Sequence, residues 1–156
     1  MTVRLEPMTQ EQYELWLPDA IEDYARQTSE SGLMSLDTAR ESAVDQFEAL
    51  LPDDLATSGH HLLMAYDDAQ IVGVFWLRIR DEWGTRRAFI FNIEVDESLR
   101  GQGYGRAIMT AGEEYARSQK ADTIALNVFA QNDVARSLYD KLGYLVTNVN
   151  MQKELG

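Results

Sequence analysis

The sequence predicts an α+β (mixed α/β) fold, with two helices ahead of a largely antiparallel sheet and a β-α-β-α-β order closing the chain. Three observations carry that prediction. Two segments near the N-terminus, 10–28 and 35–50, repeat apolar side chains at helical spacing. Three β-rich runs, 61–66, 70–79 and 88–95, are separated only by turn chemistry at Asp67-Asp68 and around Asp81 to Thr85. A glycine-rich turn, Gly101-Gln102-Gly103-Tyr104-Gly105, then leads into a helix, a strand and a second helix.

Taken in order, residues 3–8 read as a short strand stopped by Pro7. The first helix carries Tyr13, Leu15, Trp16, Leu17, Ile21, Tyr24 and Ala25 at roughly helical spacing, with Pro18 as a candidate break. A polar loop at 28–32 follows, and Ser35 or Asp37 caps a second helix with Ala39, Ala43, Val44, Phe47 and Leu50 on one face. Pro52 ends it. The three β-rich runs form an antiparallel meander; the glycine turn opens a helix to about Ser118, then come a strand at 123–129, a helix at 132–142 and a last strand from Tyr144 onward.

With 156 residues, 45% of them hydrophobic, and no repeat or linker, the chain is expected to form a single domain over 1–156. No run approaches the roughly 18 apolar residues of a membrane span, and the N-terminal segment has no secretory pattern, so a cytoplasmic protein without a membrane partner is expected. The absence of cysteine removes disulfides, zinc-thiolate sites and any acyl-cysteine mechanism. A net charge of −12 argues against nucleic acid as partner. The acid is unevenly placed: residues 1–60 hold 13 Asp and Glu against three Arg, while 61–156 hold 13 against 11 Lys and Arg.

The glycine turn is not a dinucleotide fingerprint, because Arg106 stands where a third glycine is needed and five residues separate Val95 from Gly101. No Gly-Lys-Ser/Thr follows, which excludes a P-loop. Two readings remain: a tight strand-to-helix turn, or an anion seat built from free N–H groups at the helix N-terminus.

Arg100-Gly101-Gln102-Gly103-Tyr104-Gly105 resembles the R/Q-x-x-G-x-G/A motif of the GNAT superfamily of N-acetyltransferases, and Asn132 to Tyr144 is similar to that family's later N-x-x-A-x-x-L-Y segment. The resemblance is specific over about Val72 to Met151 and general in the N-terminal helices. It implies a central mixed, splayed sheet flanked by helices, and acetyl-coenzyme A (acetyl-CoA) as the donor of an acyl group. By the same resemblance, Arg100, Gly101, Gln102, Gly103, Gly105 and Arg106 hold the pyrophosphate, Asn132 contacts the cofactor, and the main chain at Ile93 and Val95 holds the pantetheine arm. The Val95 N–H is then placed to polarise the thioester carbonyl.

Glu94, in an apolar strand, is the candidate general base for an amine that arrives protonated; binding the acceptor cation or pairing within the sheet is the competing role. Tyr139 is the candidate general acid toward the departing thiolate, or a core residue at helical spacing; the low pKa of a thiol, near 8.5, means that Tyr139→Phe costs little. Asn132 also suits a helix cap. Alternation places Asn92 and Glu94 on one face of their strand and Phe89, Phe91, Ile93 and Val95 on the other. His60 and His61 lack metal-ligand spacing, and no metal is expected.

The function these residues imply is transfer of an acetyl group to a primary amine by direct attack in a ternary complex. The acid-loaded first segment suits a cationic small-molecule or peptide amine. A catalytically silent acyl-CoA binding module, keeping the same loop, is the alternative. Either a monomer or a homodimer is compatible with the sequence.

Overall fold

A computed structural model describes residues 2–156. The elements are β1 (Arg4–Pro7), α1 (Gln10–Glu30), α2 (Leu36–Leu50), β2 (His60–Asp67), β3 (Gln70–Glu82), β4 (Thr85–Val95), α3 (Tyr104–Ser118), β5 (Thr123–Leu126) and α4 (Asp133–Lys141), with short 3-10 turns at Asp54–Ala56 and Glu97–Leu99. The sheet runs in the order β1-β2-β3-β4-β5. Its first three pairings are antiparallel, and β5 joins β4 in parallel over four residues, Arg87–Ile90 against Thr123–Leu126. Beyond Leu126 the two strands have no pairing.

The sheet divides two cores. On one face Leu63, Phe75, Leu77, Ile79 and Ile90 pack beneath α3 through Ile108 and Met109. On the other, Leu62, Met64, Val74 and Trp76 meet Tyr13 and Trp16 of α1 and Phe47 of α2. The approach of α3 depends on Gly112, where a Cβ would lie 2.3 Å from Phe75 Cζ.

Local signals explain most boundaries. A capping box between Thr9 and Gln12 starts α1, and the Ser35 side chain caps α2. α1 is not broken at Pro18. The proline lies on the solvent face, where the carbonyl that loses its donor is open to water, so the helix continues to Glu30 through the expected polar loop. The strand read at 123–129 stops at Leu126.

The strand expected from Tyr144 does not form. Residues 144–156 belong to no ladder, and Leu145, Val146, Val149, Met151 and Leu155 are exposed. A strand exists only with a partner, and in this chain the outer edge of β5 pairs with nothing among the described residues.

Candidate active site

The glycine turn supplies the first part of the site. Gly101 and Gly103 have φ of +78° and +91°, which only glycine adopts freely, and the space beside both is open. Gly103 is the N-cap of α3 and no side chain caps that end; the first intrahelical bond runs from the Ala107 N–H to the Gly103 carbonyl. The N–H groups ahead of it are therefore free for an anion. Two tethers hold the turn in place. The Tyr104 hydroxyl donates to Asp67 Oδ2 at 2.6 Å, and Arg100 Nε donates to the Val95 carbonyl at 3.2 Å. The uncapped N–H groups and open glycine flank fit the diphosphate of coenzyme A, with Arg100 beside them.

At Gly105 three elements converge: a Cβ there would lie 3.4 Å from Leu138 Cδ2 of α4 and 3.9 Å from Val95 Cγ2 of β4. This is the mouth of the splay between β4 and β5. Arg106 is turned to the other flank of α3, lining an open groove with Thr2, Val3 and Leu5. Its backbone belongs to the anion seat, whereas its side chain does not face the splay.

β4 departs from simple alternation. Trp76 pairs with Asn92 and Leu77 with Ile90, so Phe91 is an extra residue forming a bulge. Phe91 consequently packs in the α1–α2 core, on the side of Asn92 and Glu94, while Ile93 and Val95 pack beneath α3. The expected grouping of Phe89 and Phe91 with Ile93 and Val95 is thus corrected by one inserted residue: both phenylalanines lie on the other face, where Arg78 stands over their rings. Asp96 N–H donates to the Val72 carbonyl at 2.8 Å, fixing the strand end.

Gly73, opposite Val95 in β3, is the residue that sequence reading passed over. A Cβ there would lie 2.0 Å from the Glu94 carbonyl oxygen and 2.8 Å from Ile108 Cδ1. Only its position against β4 marks it; within its own strand it looks like any glycine.

Burial raises the Glu94 carboxyl above the ordinary range, and the charges of Asp23 and Asp19 raise it further, against the opposing pull of Arg100. α1 therefore brings two acids toward Glu94 of β4. Three buried polar atoms near this face have no hydrogen-bond partner among the described residues: Trp16 Nε1, Arg78 Nε and Asn92 Oδ1. Arg78 lies over the rings of Phe89 and Phe91 at 5.9 and 5.1 Å.

α4 supplies the remaining residues. Asn132 caps it, its side chain accepting from the Ala135 N–H at 3.3 Å. Tyr139 is half-buried against the core beneath α3, 5.9 Å from the Tyr144 ring, and burial raises its pKa. It thus keeps its proton at neutral pH. The two histidines are structural: His60 Nδ1 accepts from Trp76 Nε1 at 2.9 Å, and His61 Nδ1 is 2.6 Å from the Tyr115 hydroxyl.

The sequence profile of the acetyltransferase (GNAT) family matches residues 17–144. The chain belongs to the GNAT family. Relatives within it include two Bacillus subtilis proteins described as uncharacterized N-acetyltransferases, YycN and YdgE, 33% and 31% identical over 99% of this chain and 100% and 99% of theirs. A Propionibacterium freudenreichii mycothiol acetyltransferase is 32% identical over 58% of this chain and 29% of its own length. The crystal structure of YycN superposes with a TM-score of 0.95, covering 99% of both chains. Within this GNAT fold the splay opens between β4 and β5, flanked by the turn before α3 and by α4. Acetyl-CoA is the donor that the family generally uses.

Proposed function

We propose that this GNAT protein transfers an acetyl group from acetyl-CoA to a cationic primary amine by direct attack within a ternary complex. Glu94 carries the proposal: a carboxylate beside the splay, with its pKa raised by burial and by Asp23 and Asp19. A base poised nearer neutrality accepts the proton that an ammonium must lose before its nitrogen attacks. Asp19 and Asp23 give the acceptor's positive charge a counterpart, and Asn92 Oδ1 offers an unused acceptor for its N–H groups.

The remaining roles are those that the family resemblance implies. The turn from Arg100 to Gly105 holds the diphosphate, the Ile93 to Val95 main chain orients the pantetheine arm, and Asn132 borders the donor. The Val95 N–H steadies negative charge as it grows on the carbonyl oxygen, and Tyr139 returns a proton to the thiolate. The ammonium gives one proton to Glu94, the amine nitrogen gains the acyl carbon as the carbon–sulfur bond breaks, the thiolate takes its proton from Tyr139, and the second proton shed by the nitrogen restores the tyrosine through solvent. The chain contains no cysteine to form an acyl-enzyme, which favours the direct route.

The test is release of free thiol from acetyl-CoA across a panel of diamines, polyamines, aminoglycosides, peptide amines and neutral amines. Turnover confined to cationic acceptors is expected. Preference for neutral or anionic acceptors removes the charge argument. If coenzyme A raises the melting temperature while no amine supports turnover, and Glu94→Gln matches wild type, the protein is a silent acyl-CoA binding module.

A further inference from the structure

The tip of the β3–β4 hairpin is basic in an acidic protein. Residues 78–87 hold four Arg against two Asp and Glu, while the whole chain stands at −12. Three of these arginines have local partners: Arg80 and Arg87 share Glu82, and Arg86 is paired with Asp81. Arg78 is half-buried, and its guanidinium has no ion pair and no hydrogen-bond partner among the described residues. A cation withdrawn from water without a counterion is costly, although the chain has 26 Asp and Glu from which one could have come.

Arg78 stands on the same face of the sheet as Glu94. Its guanidinium lies over the rings of Phe89 and Phe91, at 5.9 and 5.1 Å, which steadies the side chain but leaves its charge without a partner. Burial, and then the charge of Arg80, lower its pKa, yet an arginine keeps its proton. It lines an open groove of about 550 Å³ with Ser58, His60 and Arg80. His60, with its pKa lowered to about 4, adds no charge there at neutral pH, and the Ser58 hydroxyl is a further donor for an anion. Phe91 precedes Glu94 by three residues, about 10 Å along the strand. Allowing about 3 Å for a hydrogen bond leaves about 7 Å, the span between the carboxylate and the side-chain nitrogen of an extended lysine. Between the two, the buried Asn92 Oδ1 is an unused acceptor, where the second ammonium of such a molecule needs one.

We infer that the amine acceptor is a diamino acid, with its distal ammonium at Glu94 and its carboxylate held by Arg78. The assignment rests on the acetyl transfer proposed above and adds the acceptor's other end. A guanidinium meets a carboxylate through two parallel hydrogen bonds, which a simple diamine cannot accept. The acid-rich first segment draws such molecules by their net positive charge, and Arg78 then sorts those with a carboxylate from polyamines. The carboxylate is bound and not changed: the distal nitrogen gains the acetyl group and coenzyme A leaves as the thiol.

The test compares matched acceptors that differ in the carboxylate alone, lysine against cadaverine and ornithine against putrescine, by thiol release from acetyl-CoA. Wild type is expected to show a higher kcat/KM for the amino acid of each pair by roughly 10- to 100-fold, mainly through KM. In Arg78→Gln that ratio falls toward one, and in Arg78→Lys, which keeps the charge without the paired hydrogen bonds, it lies between. Because the ratio is taken within one preparation, incomplete folding of a variant does not alter it. Equal or faster turnover of the decarboxylated partner by wild type overturns the inference, as does a wild-type ratio preserved in Arg78→Gln. Turnover of peptide amines or polyamines without any diamino acid overturns it while the acetyl transfer stands. If no amine of any kind supports turnover, the acetyl transfer itself fails and the assignment falls with it.

Discussion

Gly73→Ala is the sharpest test of how β3 holds β4, the strand on which the proposed chemistry depends. The added methyl would lie 2.0 Å from the Glu94 carbonyl oxygen, and non-bonded Cβ contacts below 3.0 Å essentially do not occur, so the carbonyl must withdraw by at least 1.0 Å. Ile108 Cδ1, at 2.8 Å, crowds the same point from α3. Overpacking of this kind costs about 1–3 kcal/mol of stability, and a displacement near 1 Å at reacting groups lowers the rate by about 100-fold. Gly112→Ala provides the comparison. Its methyl meets the Phe75 ring at 2.3 Å, so it strains the same core without touching the β4 main chain. The assay measures melting temperature and kcat/KM for thiol release in both variants. The expected result is loss of stability in both, with the large loss of kcat/KM in Gly73→Ala alone. A Gly73→Ala protein within threefold of wild-type kcat/KM would show that the Glu94–Val95 main chain does not position the chemistry.

Four other outcomes are expected. Glu94→Gln loses most turnover at neutral pH yet melts higher than wild type: the raised folded-state pKa means that ionising Glu94 costs stability as pH rises above the ordinary carboxylate value, and glutamine removes that cost. The melting difference closes below about pH 4, where the unfolded carboxyl is also protonated. Asp23→Asn moves the acid limb of the kcat/KM profile to lower pH, because one of the charges raising Glu94 is gone, and it raises KM for diamines more than for neutral amines. Gly103→Ala, forced into a left-handed backbone at φ +91°, loses about 1–2 kcal/mol of stability in thermal melts, and as the turn relaxes to escape that strain it weakens a titration with acetyl-CoA but not with acetyl-pantetheine, which lacks the diphosphate. His60, held neutral by burial with its pKa lowered to about 4, adds stability that is complete above about pH 6.5 and declines as pH falls toward 4; His60→Gln flattens that part of the melting curve.

The antiparallel meander and the four helices were legible because each is a local matter of period, cap and turn. The glycine turn ahead of α3 was legible as well, since clustered glycines before a helix supply the positive φ that other residues rarely adopt. Features that depend on a partner elsewhere in the chain were not. The bulge at Phe91 arises from how β4 meets Trp76 and Leu77, and alternation along β4 alone places Phe91 on the wrong face. The proximity of Asp19 and Asp23 to Glu94 is a tertiary fact; the sequence shows only that the first 60 residues are rich in acid. Residues 144–155 have the composition of a strand, and composition does not supply the neighbouring edge.

The bond between Trp76 and His60 makes the interior under α1 visible to light. Trp76 lies edge-on to Trp16 at 5.6 Å, and its indole N–H rests on a nitrogen that protonates near pH 4, whereas the third tryptophan, Trp83, is 83% exposed. Iodide therefore quenches Trp83 selectively, and the emission that remains comes from the buried pair. Acid titration of that emission follows the imidazole, so the protonation of His60 inside the core can be read from intrinsic fluorescence with no label.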